Sequence, residues 1–372
     1  MSKINFSLTA SINEVKDLIR EIGGTNTVAV ISEPGVGKSS LLAMIAEDNG
    51  DQWRKVGDEY PTDKYDYIYV DCPVKDMMDI AASIPNHTSK SLEYYVASLF
   101  KMHTGKPKVI MLDEAFKSPK LMQIIYTRLM LERTVGDEPL PEGADGTQSI
   151  VFITSNNATD GVGDTFAGHV ANRITIVNMQ KPTHEEWLHW ATKNNISRPL
   201  RAWAAMTPKA FKSYLDSDQS DNPYIFKPSS TAKSFVSPRS LAKASPIVDK
   251  RDKYSENALT VALAGTVGES AAKSIATFIA VEKSMVKFSD VLANPTTVKV
   301  PEDVATQVMM ILEAVDTLAS HDDLNKYMQF VNRMKSSEIQ SIFFTMIFRN
   351  KPKIARYNQE ITKWATDNHM IM

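Results

Sequence analysis

The sequence predicts an α/β protein: a doubly wound parallel sheet followed by an all-helical region. Three observations carry this. Short apolar runs that read as buried strands recur at 28–31, 67–71, 108–114, 149–156 and 174–177, with helical periodicity between them. Around Pro182 the strand-like runs stop, tryptophans cluster (Trp187, Trp190, Trp203), and helical periodicity takes over. The first strand also leads directly into a glycine-bearing loop and a helix, in the stretch TVAVISEPGVGKSSLLAMIAE. The expected organisation is an α/β domain over 1–180, a helical domain over 181–295 with a linker at 216–240, and a helical extension over 296–372.

Composition narrows the class. With 372 residues, 43% hydrophobic and 23% charged, the chain is long enough for two or three globular domains. The 42 basic and 44 acidic side chains balance to −2, which argues against a protein-wide nucleic-acid footprint. One cysteine, Cys72, leaves no intramolecular disulfide, which suits a reducing cytoplasm. No apolar run approaches the ~18 residues of a membrane span, and the N-terminus lacks a secretory apolar core. The seven histidines show no metal-ligand spacing.

Each element has a local reason. Ile12, Val15, Leu18, Ile19 and Ile22 fall at helical spacing, with Ser11 as a cap and Gly23-Gly24 as a stop. After the first strand, Pro34-Gly35-Val36-Gly37-Lys38-Ser39 reads as a phosphate-binding loop. Gly35 and Gly37 let consecutive N–H groups turn inward on an anion, and the helix opening at Lys38 adds its positive end. Lys38 can reach the β- and γ-phosphates, and the Ser39 hydroxyl can hold Mg²⁺. The loop, Pro34 to Ser40, is therefore the expected nucleotide cradle. It departs from the pattern once, with Ser32 in place of the first glycine.

The strand at 108–114 ends in Asp113-Glu114. An apolar strand that delivers two carboxylates suits Asp113 in the Mg²⁺ shell and Glu114 polarising the attacking water. Ser118-Pro119 predicts a helix start, with Leu121, Ile124, Ile125 and Leu129 on one face. Residues 134–147 carry three glycines and two prolines and read as a loop. The fourth strand ends at Asn156, which can orient the water or contact the γ-phosphate; an ordinary capping asparagine is the alternative. Arg173 precedes the fifth strand. A proline-rich connection, 221–239, ends in Ser237-Pro-Arg-Ser240, and 255–290, 302–320 and 322–349 read as helices. Their Met and Phe residues are expected as core.

Taken in order, these motifs resemble the AAA+ ATPases, and within them the MoxR-like group, over roughly residues 10–290. Further matching stretches are 71–85, Leu112-Asp-Glu-Ala-Phe-Lys-Ser-Pro119, Arg128-Leu-Met-Leu-Glu-Arg133 and Ala171-Asn-Arg-Ile174. The resemblance implies an AAA+ core with a helical lid, ATP and Mg²⁺ as ligands, and a homo-oligomeric, hexameric ring. It implies sensor roles for Asn156 and Arg239, and for Arg173 an arginine finger that reaches the neighbouring subunit's nucleotide. It also implies a protein client or adaptor, of which a von Willebrand A-domain protein is one kind, and a chaperone-like activity in the cytoplasm. The alternative is a nucleic-acid-directed AAA+ protein, a helicase or clamp loader, which the charge balance disfavours. A small-molecule kinase does not suit the strand between the two phosphate motifs. A nucleotide-gated scaffold does not suit an intact Glu114.

Overall fold

The computed structural model describes residues 8–55, 60–157, 168–282 and 285–367. The chain divides into two compact units, Met1–Lys181 and Pro182–Met372.

The first unit begins with α1 (Ile12–Ile22). Ser11 accepts from Glu14 N–H and the Glu14 carboxylate returns the bond to Ser11 N–H, a complete capping box. Gly23 caps the helix, and only glycine fits there, because a Cβ would lie 2.3 Å from Ile19 O and 2.7 Å from an Ile150 methyl. β1 (Val28–Ser32) follows, then the loop, a single 3-10 turn and α2 (Leu41–Asp48). β2 (Asp66–Asp71) leads into a hairpin, β3 (Ala81–Asn86) with β4 (Ser91–Val96). β5 (Lys108–Asp113), α3 (Lys120–Glu132), a minimal hairpin of β6 (Thr134–Val135) and β7 (Glu138–Pro139), β8 (Ile150–Asn156), α4 (Gly168–Ala171) and β9 (Thr175–Asn178) complete it.

The five expected strands form one parallel sheet in the order β2-β5-β8-β1-β9. Successive side chains point to opposite faces, so β1, β2, β5 and β8 each feed two cores, while edge strand β9 leaves Ile176 39% exposed. Val28, Val30, Val109, Met111 and Phe152 pack with α1 and α2 on one face. Ala29, Ile110, Leu112, Val151 and Ile153 pack with α3 on the other. Burial on both faces is what the unbroken apolar runs require.

Three local expectations need correction. The buried stripe of α3 is Met122, Tyr126, Leu129 and Met130, while Leu121 and Ile124 are 56% and 63% exposed. The true stripe has the same helical spacing but is rotated about the axis, and Tyr126 and the methionines fill it. Ser118 does not cap the helix; Pro119 occupies the cap position, and Gln123 Nε2 donates to the Phe116 and Ser118 carbonyls. Part of the loop at 134–147 is the β6–β7 hairpin, turned at Gly136 with φ 60°.

The second unit is helical: α5 (His184–Lys193), α6 (Arg198–Met206), α7 (Pro238–Asp249), α8 (Glu256–Val267), α9 (Glu269–Val281), α10 (Phe288–Ala293), α11 (Val304–Thr317), α12 (His321–Val331), α13 (Ser337–Asn350), α14 (Pro352–Ala355) and α15 (Gln359–Asp367). The stretch expected as one helical region, 255–290, breaks at Gly268, whose φ is 88°, and its residues 283 and 284 lie outside the described residues. One apolar cluster runs from Trp187 to Ala365, so residues 182–295 and 296–367 share a core. Trp203 is fully buried, with its indole N–H on Ser274 Oγ at 2.9 Å. Met309, Met310, Phe343, Met346 and Phe348 are core as expected. The connection before α7 is tied down by Asn222 to Lys209 O at 2.8 Å and by Val236 N–H to Tyr224 O at 2.7 Å. Among the described residues, no helix is long and apolar enough to cross a membrane.

Candidate functional site

The site is built where the carboxyl ends of β1, β8 and β5 lie side by side. In register, Ser32 sits beside Asn156, Thr154 beside Asp113, and Asp113 beside Asp71. β8 therefore stands between the loop strand and the strand that ends in Asp113-Glu114.

The loop leaves β1 at Ser32 and passes Gly35 at φ 79° and Gly37 at φ 110°. A Cβ on Gly37 would find room, its nearest neighbour being Ser40 Oγ at 3.6 Å, so the left-handed backbone and not space selects glycine. Val36 is buried among α1 and α2 and anchors the loop tip, and Pro34 fixes φ before it. Lys38–Ser40 forms the 3-10 turn that opens α2, and Ser40 Oγ donates to Gly37 O at 2.7 Å. Ser39 is half-buried within that turn.

Lys38 is buried, and its ammonium donates to Ser32 Oγ at 3.0 Å, Ser32 O at 3.2 Å, Glu33 O at 2.9 Å and Asn156 Oδ1 at 2.8 Å. Ser32 is not among the residues with positive φ, so this position does not need glycine. Its hydroxyl instead helps to hold the lysine. That is the physical content of the departure from the loop pattern.

Glu114 has φ 54° and ψ 36°, the left-handed region that a residue with a side chain seldom occupies. Its N–H donates to Thr154 O at 2.8 Å, and Lys117 N–H donates to Glu114 O at 2.9 Å, which fixes this backbone. The carboxylate then meets Asn156 Nδ2 at 2.8 Å on one oxygen and Lys117 Nζ on the other. A continuous polar chain results: Lys38, Asn156, Glu114, Lys117. Asn156 is thus no mere strand cap; its amide oxygen serves Lys38 and its amide nitrogen serves Glu114.

Asp113 accepts from Tyr69 OH at 2.6 Å on one oxygen and from Thr154 Oγ1 on the other. Burial first, and then the bond and charge of Asp113, push the Tyr69 hydroxyl above the ordinary tyrosine range, so it is a proton donor here. Ser39 and Asp113 offer a hydroxyl and a carboxylate, the oxygen-only donors that a hard divalent cation takes. Cys72, just beyond β2, is buried and its thiol is pushed up by that burial, so it is no nucleophile.

Two predicted residues are not gathered here. Arg173 is exposed just before β9, whose first residue, Thr175, pairs with Val28. It lies at the opposite end of the sheet from the loop, beyond Thr175, which is itself about 13 Å along the strand direction from the level of Ser32. Arg239 is carried by the second unit, exposed on the first turn of α7 behind the Ser237–Ser240 capping box. Arg133, within a stretch that matched the resemblance, is structural. It ends α3 in the left-handed region and donates to Gly23 O, Gly24 O, Thr27 Oγ1 and Met130 O, and burial pulls its pKa down to about 10. Tyr69, Thr154 and Lys117 were not singled out from the sequence. Lys117 alone left a local signal, a basic residue one turn after Glu114.

No family model and no curated protein matches the chain. Solved structures similar to it include a chain from Cytophaga hutchinsonii assigned as an ATPase, with 14% identity over 91% of this chain and 81% of that one, TM-score 0.32. A point mutant of RuvB from Thermotoga maritima matches at 13% identity over 77% and 75%, TM-score 0.34. NtrX from Brucella abortus in complex with ADP matches at 12% identity over 94% and 66%, TM-score 0.35. By its own topology, the chain has a five-stranded parallel α/β core, with the glycine-bearing loop between β1 and α2, followed by a helical region.

Proposed function

We propose that this protein is an AAA+ ATPase of the MoxR-like kind, which binds Mg-ATP at 34–40, hydrolyses it within a homo-oligomeric ring and uses the cycle to remodel a protein client. The observation that carries this reading is the polar chain from Lys38 through Asn156 to Glu114. It joins an anion-binding loop to a carboxylate able to take a proton from water, which is the pairing that phosphoryl transfer to water needs.

In this reading the loop N–H groups and Lys38 take the β- and γ-phosphates, and Asn156 fixes the space between the γ-phosphate and Glu114. Ser39 and Asp113 would hold Mg²⁺, which would supply neutralisation of the charge developing on the phosphate oxygens. Glu114 draws the proton from a water attacking the γ-phosphorus as the bond to ADP breaks. Asn156 and Lys117 each take one acceptor direction of the Glu114 carboxylate, one on each oxygen, which leaves the remaining lone pairs to accept that water. Arg173, remote from its own loop, is available to a neighbour's nucleotide, which would make hydrolysis depend on assembly. Arg239 would take the sensor role that the resemblance implies for it.

Phosphate release by the purified protein, with and without Mg²⁺, tests the reading. Wild type should turn over ATP and Lys38→Ala should neither bind nor hydrolyse it. Equal ATP affinity of the two by isothermal titration would reject the loop assignment. Stimulation by DNA with steep salt dependence, in place of stimulation by a protein, would move the reading to the nucleic-acid-directed class.

A further inference from the structure

Asp113 ends the third strand in chain order of the five-stranded sheet, and the strands on both sides reach it. From β2 the Tyr69 hydroxyl donates to Asp113 Oδ2 at 2.6 Å; from β8 the Thr154 hydroxyl donates to Asp113 Oδ1. Tyr69 is itself fixed. Its ring lies 6.4 Å from that of Trp53, and Lys55 Nζ stands 3.8 Å from the ring centroid and donates to the phenolic oxygen. An ammonium can only donate, so the phenolic oxygen is the acceptor in that bond and its own proton is left for Asp113. Thr154 is fully buried, and its carbonyl also holds Glu114 N–H. One residue thus links the orientation of both carboxylates.

We infer that Tyr69, with Thr154, is a positioning residue for Asp113, and that this hydroxyl bracket sets how tightly a divalent cation is held beside a bound nucleotide. The inference rests on the reading of Asp113 as a cation ligand. A carboxylate has about four acceptor directions, and two hydroxyls occupy one on each oxygen, fixing the plane of the group while leaving lone pairs for a cation. Partners of this kind behind a metal ligand change metal affinity about 10–100-fold when removed. The hydroxyls do this at no charge cost, since neither competes as a cation would.

The test is the Mg²⁺ dependence of ADP binding, read by isothermal titration at a series of Mg²⁺ concentrations and in EDTA. Tyr69→Phe keeps the ring against Trp53 and removes only the hydroxyl. The expected result is unchanged ADP affinity in EDTA, within about twofold, and a Mg²⁺ requirement raised about 10–100-fold. Thr154→Val should act in the same direction, and Asp113→Asn should abolish the Mg²⁺ effect. A shift below threefold for Tyr69→Phe would overturn the inference. So would an equal loss of affinity in EDTA, which marks a general disturbance of the site, as would a thermal midpoint so lowered that the variant is unfolded while Thr154→Val shows no shift. If wild type binds ADP with no gain from Mg²⁺, the assignment of Asp113 fails and takes the inference with it.

Discussion

Asn156→Ala separates binding from chemistry, because Asn156 touches both the loop cation and the carboxylate. The substitution removes two hydrogen bonds of 2.8 Å, one to the Lys38 ammonium and one to Glu114. Lys38 keeps Ser32 Oγ, Ser32 O and Glu33 O, so its place over the loop survives. Binding should weaken by no more than one charge-assisted hydrogen bond, about 1.5–3 kcal/mol at most. Glu114 keeps only Lys117 of its two side-chain partners and loses its tie to the phosphate side. Removing one preorganised polar group at such a centre lowers turnover about 10²–10³-fold, or ~2.7–4 kcal/mol. Single-turnover release of γ-phosphate, with ATP affinity measured by titration on the same preparation, resolves the two effects. A large loss of rate beside a smaller loss of affinity is expected. A rate within fivefold of wild type, or a loss wholly in affinity, would refute the role given to Asn156.

Two further outcomes follow from the same geometry. Burial raises the Asp66 carboxyl, but its bonds from Lys108 and Thr104 and the Lys108 charge outweigh this and hold it below the ordinary value. Its folded pKa is therefore depressed: the stabilisation is full above the unfolded carboxyl range and is lost as pH falls through the lower folded value. The Lys108 ammonium is 2.7 Å from Asp66, fully buried, and also donates to Lys101 O and Thr104 Oγ1. Asp66→Asn should lower stability by roughly 3–5 kcal/mol in denaturant unfolding and flatten the acid limb of the stability profile, and an unaltered profile would contradict the pairing. Arg173→Ala should keep ATP binding yet hydrolyse poorly, by up to ~10³–10⁵-fold for a full finger. Mixing it with Lys38→Ala should restore activity; failure to do so in mixed oligomers verified by native mass spectrometry would exclude a shared site.

What could be read in advance follows from how local each signal is. The loop, α1 and the strand tips are encoded within a few consecutive residues. Gly35 and Gly37 sit where φ is positive, the Ser11–Glu14 box closes within one turn, and Asp113 ends its strand. The unbroken apolar runs marked strands buried on both faces, and they form the sheet. The contacts that define the site run between strands, and no spacing announces them. Tyr69 reads as one more apolar strand residue until β2 is placed beside β5. Thr154 and Ser32 gain their meaning only from what lies across the ladder. The hairpin at 81–96 was hidden for the opposite reason. Ile84, Leu92 and Tyr95 are 47%, 62% and 56% exposed, so no face alternates, and Pro85 within β3 argues against a strand. The face of α3 was misplaced because apolar residues surround that helix and the sequence does not say which side meets the sheet.

The most direct measurement concerns Glu114. Glu114→Gln retains a side chain that can hydrogen-bond Asn156 but can no longer accept a proton from water. The variant should show ATP affinity close to wild type, phosphate release abolished, and a nucleotide-loaded protein that retains its partners on a pull-down in ATP. Turnover within threefold of wild type, a difference of only ~0.7 kcal/mol, would contradict the assignment of Glu114 as the group that activates water.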